Sequence, residues 1–187
     1  MKEINHFRGE YDFLSNFYYA EVEFEGINYP TNEHAFQAAK TFDSEIRKSF
    51  STDYPTPAIA KRKGRHVKLR SDWESVKVDI MTTIVRNKFK AHPDLKKKLL
   101  ETGTAKLIEG NTWHDTFWGV NINTGKGENH LGKILMQVRS ELKNGVTNTQ
   151  GSSIDIQNTN TQSINTKPIE KTPKKRKYQN YQINRIQ

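Results

Sequence analysis

The sequence predicts a mainly α domain, α+β in detail because of one small antiparallel β hairpin, with a disordered C-terminal tail behind it. Three observations lead there. Trp73, Val76, Ile80, Met81, Ile84, Val85 and Phe89 recur at helical spacing, and Leu131, Ile134, Leu135, Val138 and Leu142 form a second such stripe. Between positions 19 and 29, Val22 and Phe24 alternate with Glu21, Glu23 and Glu25, the period of a half-buried strand. Beyond position 143, Thr, Asn, Gln and Ser dominate, and such a composition cannot bury enough apolar surface to order itself. The expected organisation is a single compact domain over 1–143 and a tail over 144–187, polar at first and then basic.

The elements follow in chain order. An aromatic-rich stretch, 7–19, centres on Phe13-Leu14-Ser15-Asn16-Phe17. The strand carrying Val22 and Phe24 turns at Gly26 and returns through Ile27 and Tyr29. Pro30 closes that segment, and Thr31 and Asn32 are capping residues for a helix that places Glu33 in its first turn. On this helix Glu33, Gln37 and Lys40 (i, i+4, i+7) project from one side, while Ala35, Ala38, Ala39 and Phe42 cover the other. Spacing alone leaves two readings of that row, a solvated polar face or an acid, an amide and an amine set side by side. Residues 43–70 read as irregular, broken by Pro55 and Pro57, with a short helix over 58–63 ended by Gly64. Asp72 is the expected cap of the long helix, and Pro93 stops it and opens another over 94–101, ended by Gly103. A short strand is expected at 105–109. A loop then carries Trp113, Asp115, Trp118 and Gly119, and a last helix over 131–142 is ended by Gly145.

Composition narrows the class. The chain has 187 residues with 33% hydrophobic content, low for a chain folded throughout. It has no cysteine, which excludes disulfides, thiolate metal sites and cysteine nucleophiles. No apolar run approaches the roughly 18 residues of a membrane span, and the start of the chain lacks a secretory h-region. The expected location is cytoplasmic, or nuclear if the host has a nucleus, with no membrane partner. His6, His34, His66, His92, His114 and His130 show no ligand spacing, so neither a metal nor a cofactor is expected. His34 is expected at the surface. The net charge of +9 divides into +5 from Asn144 onward and +4 before it. Pro173-Lys174-Lys175-Arg176-Lys177 can hold nucleic acid non-specifically, or can be simply a solubilising tail.

Several blocks together resemble the NADAR, or YbiA-like, family. They are Phe13-Leu14-Ser15-Asn16-Phe17, Glu33-His34-Ala35-Phe36-Gln37-Ala38-Ala39-Lys40, Gly64-Arg65 and Asp72-Trp73-Glu74 with Lys77 and Met81. Next come Asn87-Lys88-Phe89, Leu99-Leu100-Glu101-Thr102-Gly103, Leu107-Ile108-Glu109, Asp115 with Trp118-Gly119, and the run from Gly127 to Arg139. Their order across 7–142 makes the match specific. Residues 43–56 and 120–126 match nothing specific, and the tail lies outside the resemblance.

The resemblance implies a compact, mostly helical N-glycosidase without a cofactor. Some family members hydrolyse phosphoribosylamino pyrimidine intermediates of riboflavin synthesis, and others remove ADP-ribose from the exocyclic amine of modified guanine. Both substrates join ribose C1 to an exocyclic N–H on a heteroaromatic ring. The bond breaks as charge develops at C1 and the amine gains a proton, which calls for carboxyl groups. The resemblance makes Glu33 the first acid/base candidate, with Asp115 and Glu109 as second carboxylates. Lys40 either holds a phosphate or attacks C1 of the ring-opened sugar as a Schiff-base nucleophile. Phe17, Trp73 and Trp118 are candidate stacking faces, with a pure core role equally open for Trp73. Arg65 is a phosphate grip, Asn16 and Asn129 are candidate partners of ribose hydroxyls with turn or cap roles also open, and Gln37 and Gly119 complete the expected substrate site. The expected substrate is ADP-ribosylated guanine in DNA, which the basic tail would help to hold. The alternatives are a riboflavin intermediate or, in another class, a non-catalytic ADP-ribose or NAD reader.

Overall fold

The computed structural model describes residues 2–149, with side chains to position 145. At the N-terminus a two-residue strand, β1 (Glu3–Ile4), precedes a 3-10 turn over Gly9–Leu14 that buries Phe13 and Leu14. The alternation at Val22 and Phe24 turns both side chains inward in β2 (Val22–Phe24), which pairs antiparallel with β3 (Ile27–Tyr29). Its connection, Glu25-Gly26, has φ of 49° and 79°, the type I′ geometry that suits strand twist. The hairpin leads into α1 (Asn32–Ala38), capped by the Thr31 hydroxyl, which accepts from the His34 amide at 3.3 Å.

All seven residues of α1 are buried. The helix packs against β2, β3, α2 (Ser44–Thr52), α3 (Pro57–Lys63) and α4 (Trp73–Ala91), so it has no solvated face. His34, expected at the surface, is fully buried, and its ring contacts the Thr31 hydroxyl (2.8 Å) and the Tyr54 carbonyl (2.9 Å). Burial holds its pKa below the usual imidazole value. Lys40 lies just beyond the helix, in a turn whose amide donates to Gln37 O at 3.3 Å.

Two helical features depart from the sequence reading. Residues 44–52, read as irregular, form α2, because the Asp43 carboxylate accepts from the amides of Glu45 and Ile46 (2.9 and 3.0 Å). Phe50 is the buried residue of this helix, with Ile46 partly buried against the core, too thin a stripe to register as a period. Asp72 stands at the cap position as expected, but its side chain makes no cap bond and instead takes the Arg70 guanidinium with both oxygens (2.6 and 2.9 Å).

The apolar face of α4 meets β2, α1, α5 (Pro93–Glu101) and α6 (His130–Thr149). Each large side chain it buries stabilises the fold by about 1.5–3 kcal/mol. Among them sits Lys88, fully buried, its Nζ donating to the carbonyls of Phe13 (2.7 Å) and Ser15 (3.1 Å). Burial pushes its pKa down to about 7. This bond pair fixes the turn that presents Asn16 and Phe17.

The strand expected at 105–109 is shorter, β4 (Lys106–Leu107), and its parallel partner is β1. A second parallel pair joins β5 (Gly110–Asn111) to β6 (Val120–Asn121) across the Trp118 loop. Gly145 does not end α6, which continues to Thr149. No helix among the described residues is long and apolar enough to cross a membrane. The expected disordered tail begins at 144, but 144–149 continue the backbone of α6, so that boundary falls too early; the rest of the tail, from 150 onward, lies outside the described residues.

Candidate active site

Helix α1 brings Glu33 and Gln37 one turn apart on the inner side, and the Gln37 amide donates to Glu33 Oε1 at 2.7 Å. The Glu33 backbone amide donates to Asn16 O at 3.0 Å, which ties the helix start to the turn held by Lys88. Glu33 is 5% exposed, and burial raises its pKa; Lys61 and Lys40 pull it down and Asp115 pushes it up. Lys40 is half-buried, donates from Nζ to Gly64 O at 3.2 Å, and stands 6.0 Å from the centre of the Trp73 ring. Burial lowers its pKa, Glu33 opposes that, and Lys61 and Arg65 add to it.

Gly64 is where these two side chains converge. A Cβ there would lie 1.9 Å from Gln37 Oε1, so only glycine lets α3 end against the amide. Gln37 Oε1 is buried without a protein partner among the described residues.

The opposite carboxylates come from the segment after β4. Burial pushes Glu109 up to about 7, Asp115 adds to the rise, and Lys61 and Arg8 oppose it. Its Oε2 is buried and unpartnered among the described residues. Its backbone amide donates to Asn129 Oδ1 (3.0 Å), while Asn129 Nδ2 donates to Leu107 O (2.9 Å). The Asn129 carboxamide therefore holds the backbone around Glu109, the turn role that the sequence also left open. Gly119 also packs on this residue, since a Cβ there would lie 2.2 Å from Glu109 O. Asp115 accepts the Trp118 amide at 2.9 Å, and the buried Asn111 side chain holds its backbone at both N (3.1 Å) and O (2.8 Å).

An aromatic cluster lies beside them. The Phe36 ring centre is 5.0 Å from Trp73 and 5.2 Å from Trp118, the latter edge-on at 86°. Trp73 is only 6% exposed, whereas Trp118 and Phe17 are half-buried and keep surface available for stacking. Asn16 bonds with Asn32 (3.2 Å) and Met81 (3.4 Å), and Arg65 is exposed, near enough to Lys40 to act on its charge.

Two contributors escaped the sequence reading. Lys61 acts electrostatically on Glu33, Lys40 and Glu109 together and lies 5.6 Å over the Phe17 ring. Its place on the last turn of a short cationic helix gave no signal of that. Asn111 reads as one loop asparagine among many. A groove of about 500 Å³ between α4 and α6, lined by Thr82, Arg86, His130 and Lys133 among others, lies apart from this gathering of ionisable groups.

Two carboxyl groups with raised pKa values, one buried and one half-buried, a half-desolvated amine and half-buried aromatic faces suit acid/base chemistry on a ring-bearing substrate. The NADAR domain model matches residues 4–143. The N-glycosidase YbiA of Shigella flexneri serotype 5b (strain 8401) is 41% identical over 135 residues, covering 71% of this chain and 82% of that one. A riboflavin biosynthesis protein of Vibrio vulnificus (strain YJ016) is 36% identical over 132 residues, 70% of this chain and 35% of that protein. The NMR structure of the E. coli protein YbiA superposes with a TM-score of 0.71 at 37% identity, covering 78% of this chain and 88% of that one. The class is therefore that of a hydrolase, an N-glycosidase. The chain belongs to the NADAR family.

Proposed function

We propose that this enzyme hydrolyses the bond between ribose C1 and the exocyclic amine of a heteroaromatic base, and that its substrate is ADP-ribosylated guanine in DNA. The observation that carries the chemistry is that buried Glu33 and half-buried Glu109 are both inclined to hold a proton, while Lys40, beyond the same helix as Glu33 and tied to Gly64, is inclined to lose one. Glu33, protonated, gives its proton to the sugar ring oxygen, and the ring opens to an imine between C1 and the base nitrogen. The neutral Lys40 amine adds at C1. The base amine leaves with a proton from Glu109, and C1 remains as an imine on Lys40. The surplus proton on the Lys40 nitrogen returns to Glu33; water then adds to C1, its proton returning to Glu109, and the free sugar aldehyde leaves as the amine is restored. The net change is one water consumed per C1–N bond broken. Asp115, which acts electrostatically on both Glu33 and Glu109, adds negative charge near the cationic centre, and Trp118 and Phe17 stack the base. Lys61 and Arg65 meet the phosphates.

The test pairs two substrates with one trap. Incubation with an oligonucleotide carrying ADP-ribosyl guanine should release ADP-ribose, and borohydride added during turnover should fix a mass increment on Lys40. Release without any adduct would return Lys40 to the simpler task of holding phosphate. The second reading, hydrolysis of a phosphoribosylamino pyrimidine, has in its favour the likeness to the Vibrio riboflavin biosynthesis protein. Cleavage of that metabolite in preference to the oligonucleotide would replace the first reading. Tight ADP-ribose binding with neither substrate cleaved would identify a reader.

A further inference from the structure

The folded domain carries only +4, yet residues 61–70 hold six Lys and Arg, one His and no acid (Lys-Arg-Lys-Gly-Arg-His-Val-Lys-Leu-Arg). The rest of the domain is therefore net acidic, and its basic character is concentrated in one strap. That strap is fastened to the candidate site at two points. Lys40 Nζ donates to Gly64 O (3.2 Å), and the Arg70 amide donates to Lys40 O (2.7 Å). Lys61 is directed at Glu33 and Glu109, whereas Arg62, Lys63, Arg65 and Lys68 are exposed.

These four make no ion pair among the described residues, while Lys48, Lys77, Arg86, Lys97 and Lys106 each sit against a carboxylate. The C-terminal dipole of α3 accounts for cations in its last turn, through Lys63, but for nothing beyond Gly64. An exposed aromatic lies alongside. Phe42 is 63% exposed with the Arg70 guanidinium 4.3 Å from its ring centre, and Leu69 beside it is 50% exposed. Clustered unpaired cations interleaved with an open aromatic face form a surface that follows a sugar–phosphate backbone and accepts flanking bases.

We propose that residues 62–70 are a docking surface for single-stranded nucleic acid, running outward from the end of α3, where Gly64 meets Lys40. From Lys63 to Lys68 the chain spans at most about 17 Å, the length of several phosphates. One substrate phosphate is already served by Lys61 and Arg65, so the cations that face outward have phosphates outside the pocket to meet. An unpaired strand is the form that frees a guanine amine for entry, since a duplex would keep it stacked. The inference rests on the polynucleotide reading given above and locates its grip in the domain itself, in addition to any held by the tail.

The experiment measures anisotropy of a labelled, unmodified oligothymidylate on the full chain across a salt series. The variant R62Q/K63Q/K68Q changes three exposed residues outside the catalytic set, and its melting temperature should stay at the parent value. Binding should weaken at least about tenfold at low salt, and the salt slope should fall by about 2, the loss of three phosphate contacts on a single strand. A variant of Lys174, Lys175, Arg176 and Lys177 to Gln should keep a larger share of the affinity. An unchanged slope in the first variant, or a complete loss in the second, overturns the proposal. The assay uses no cleavable substrate. Strap-dependent binding with no release of ADP-ribose therefore upholds the surface and sinks the proposed activity, and release with strap-independent binding does the reverse.

Discussion

The Glu109 carboxyl, one oxygen unpartnered and its pKa near 7, titrates where both activity and stability can register it. Its folded pKa lies above the unfolded value of 4.5, so its stability contribution is intact below 4.5 and is lost as pH rises through 7. At about 1.4 kcal/mol per unit the penalty above 7 approaches about 3 kcal/mol. Glu109→Gln should therefore melt higher than the parent at pH 8 and alike at pH 4. The same change should depress turnover and erase an alkaline fall in rate centred near 7. A melting difference equal at both pH values would place the carboxyl in water. Glu33→Gln should cut turnover at least about 100-fold, as loss of an acid/base group does, with the fold intact. Retained turnover would remove Glu33 from the chemistry. At this scale the sequence made Glu33, Glu109, Asp115 and Lys40 visible through family blocks. Lys61 and Asn111 were invisible, because their roles depend on what the chain brings beside them. Asn129 was legible as important, but a carboxamide that holds backbone looks the same in a sequence as one that holds a ligand, so its bonds to Glu109 and Leu107 could not be foreseen.

Among the elements, α1 is the instructive one. Its Glu33, Gln37 and Lys40 spacing reads as a polar face, and three helices and a hairpin enclose it, so its polar groups turn into an interior that the sequence alone does not reveal. The long helices α4 and α6 were legible because their stripes repeat over several turns. The two parallel strand pairs were not, since two residues carry no period. The seat of α3 against α1 depends on Gly64, and Gly64→Ala puts a methyl group into the Gln37 amide. The expected cost is about 1–3 kcal/mol of stability. Turnover should fall as Gln37 leaves Glu33 and Lys40 loses its carbonyl partner. Thermal melts and kcat measured on the same preparation check this, and an alanine variant with parental values of both would show that the amide has room to move.

Across the whole molecule, the hydrophobic cluster runs from Ile4 and Phe7 to Leu142, so both ends of the described domain belong to one core. The N-terminal strand has a reach beyond its length. β1 lies beside β4, with the Lys106 amide donating to Lys2 O (2.9 Å) and the Ile108 amide to Ile4 O (2.8 Å). Glu109 follows at once. The opening residues are thus a splint on the stretch that delivers the second carboxylate, although nothing in their own chemistry touches a sugar. Removing residues 1–5 should lower kcat while KM for a small substrate stays near its original value, and a proportional rise in KM would tell against the splint. A reporter or affinity handle fused just ahead of β1 would therefore bear on the placement of Glu109, the proposed acid, without coming near it.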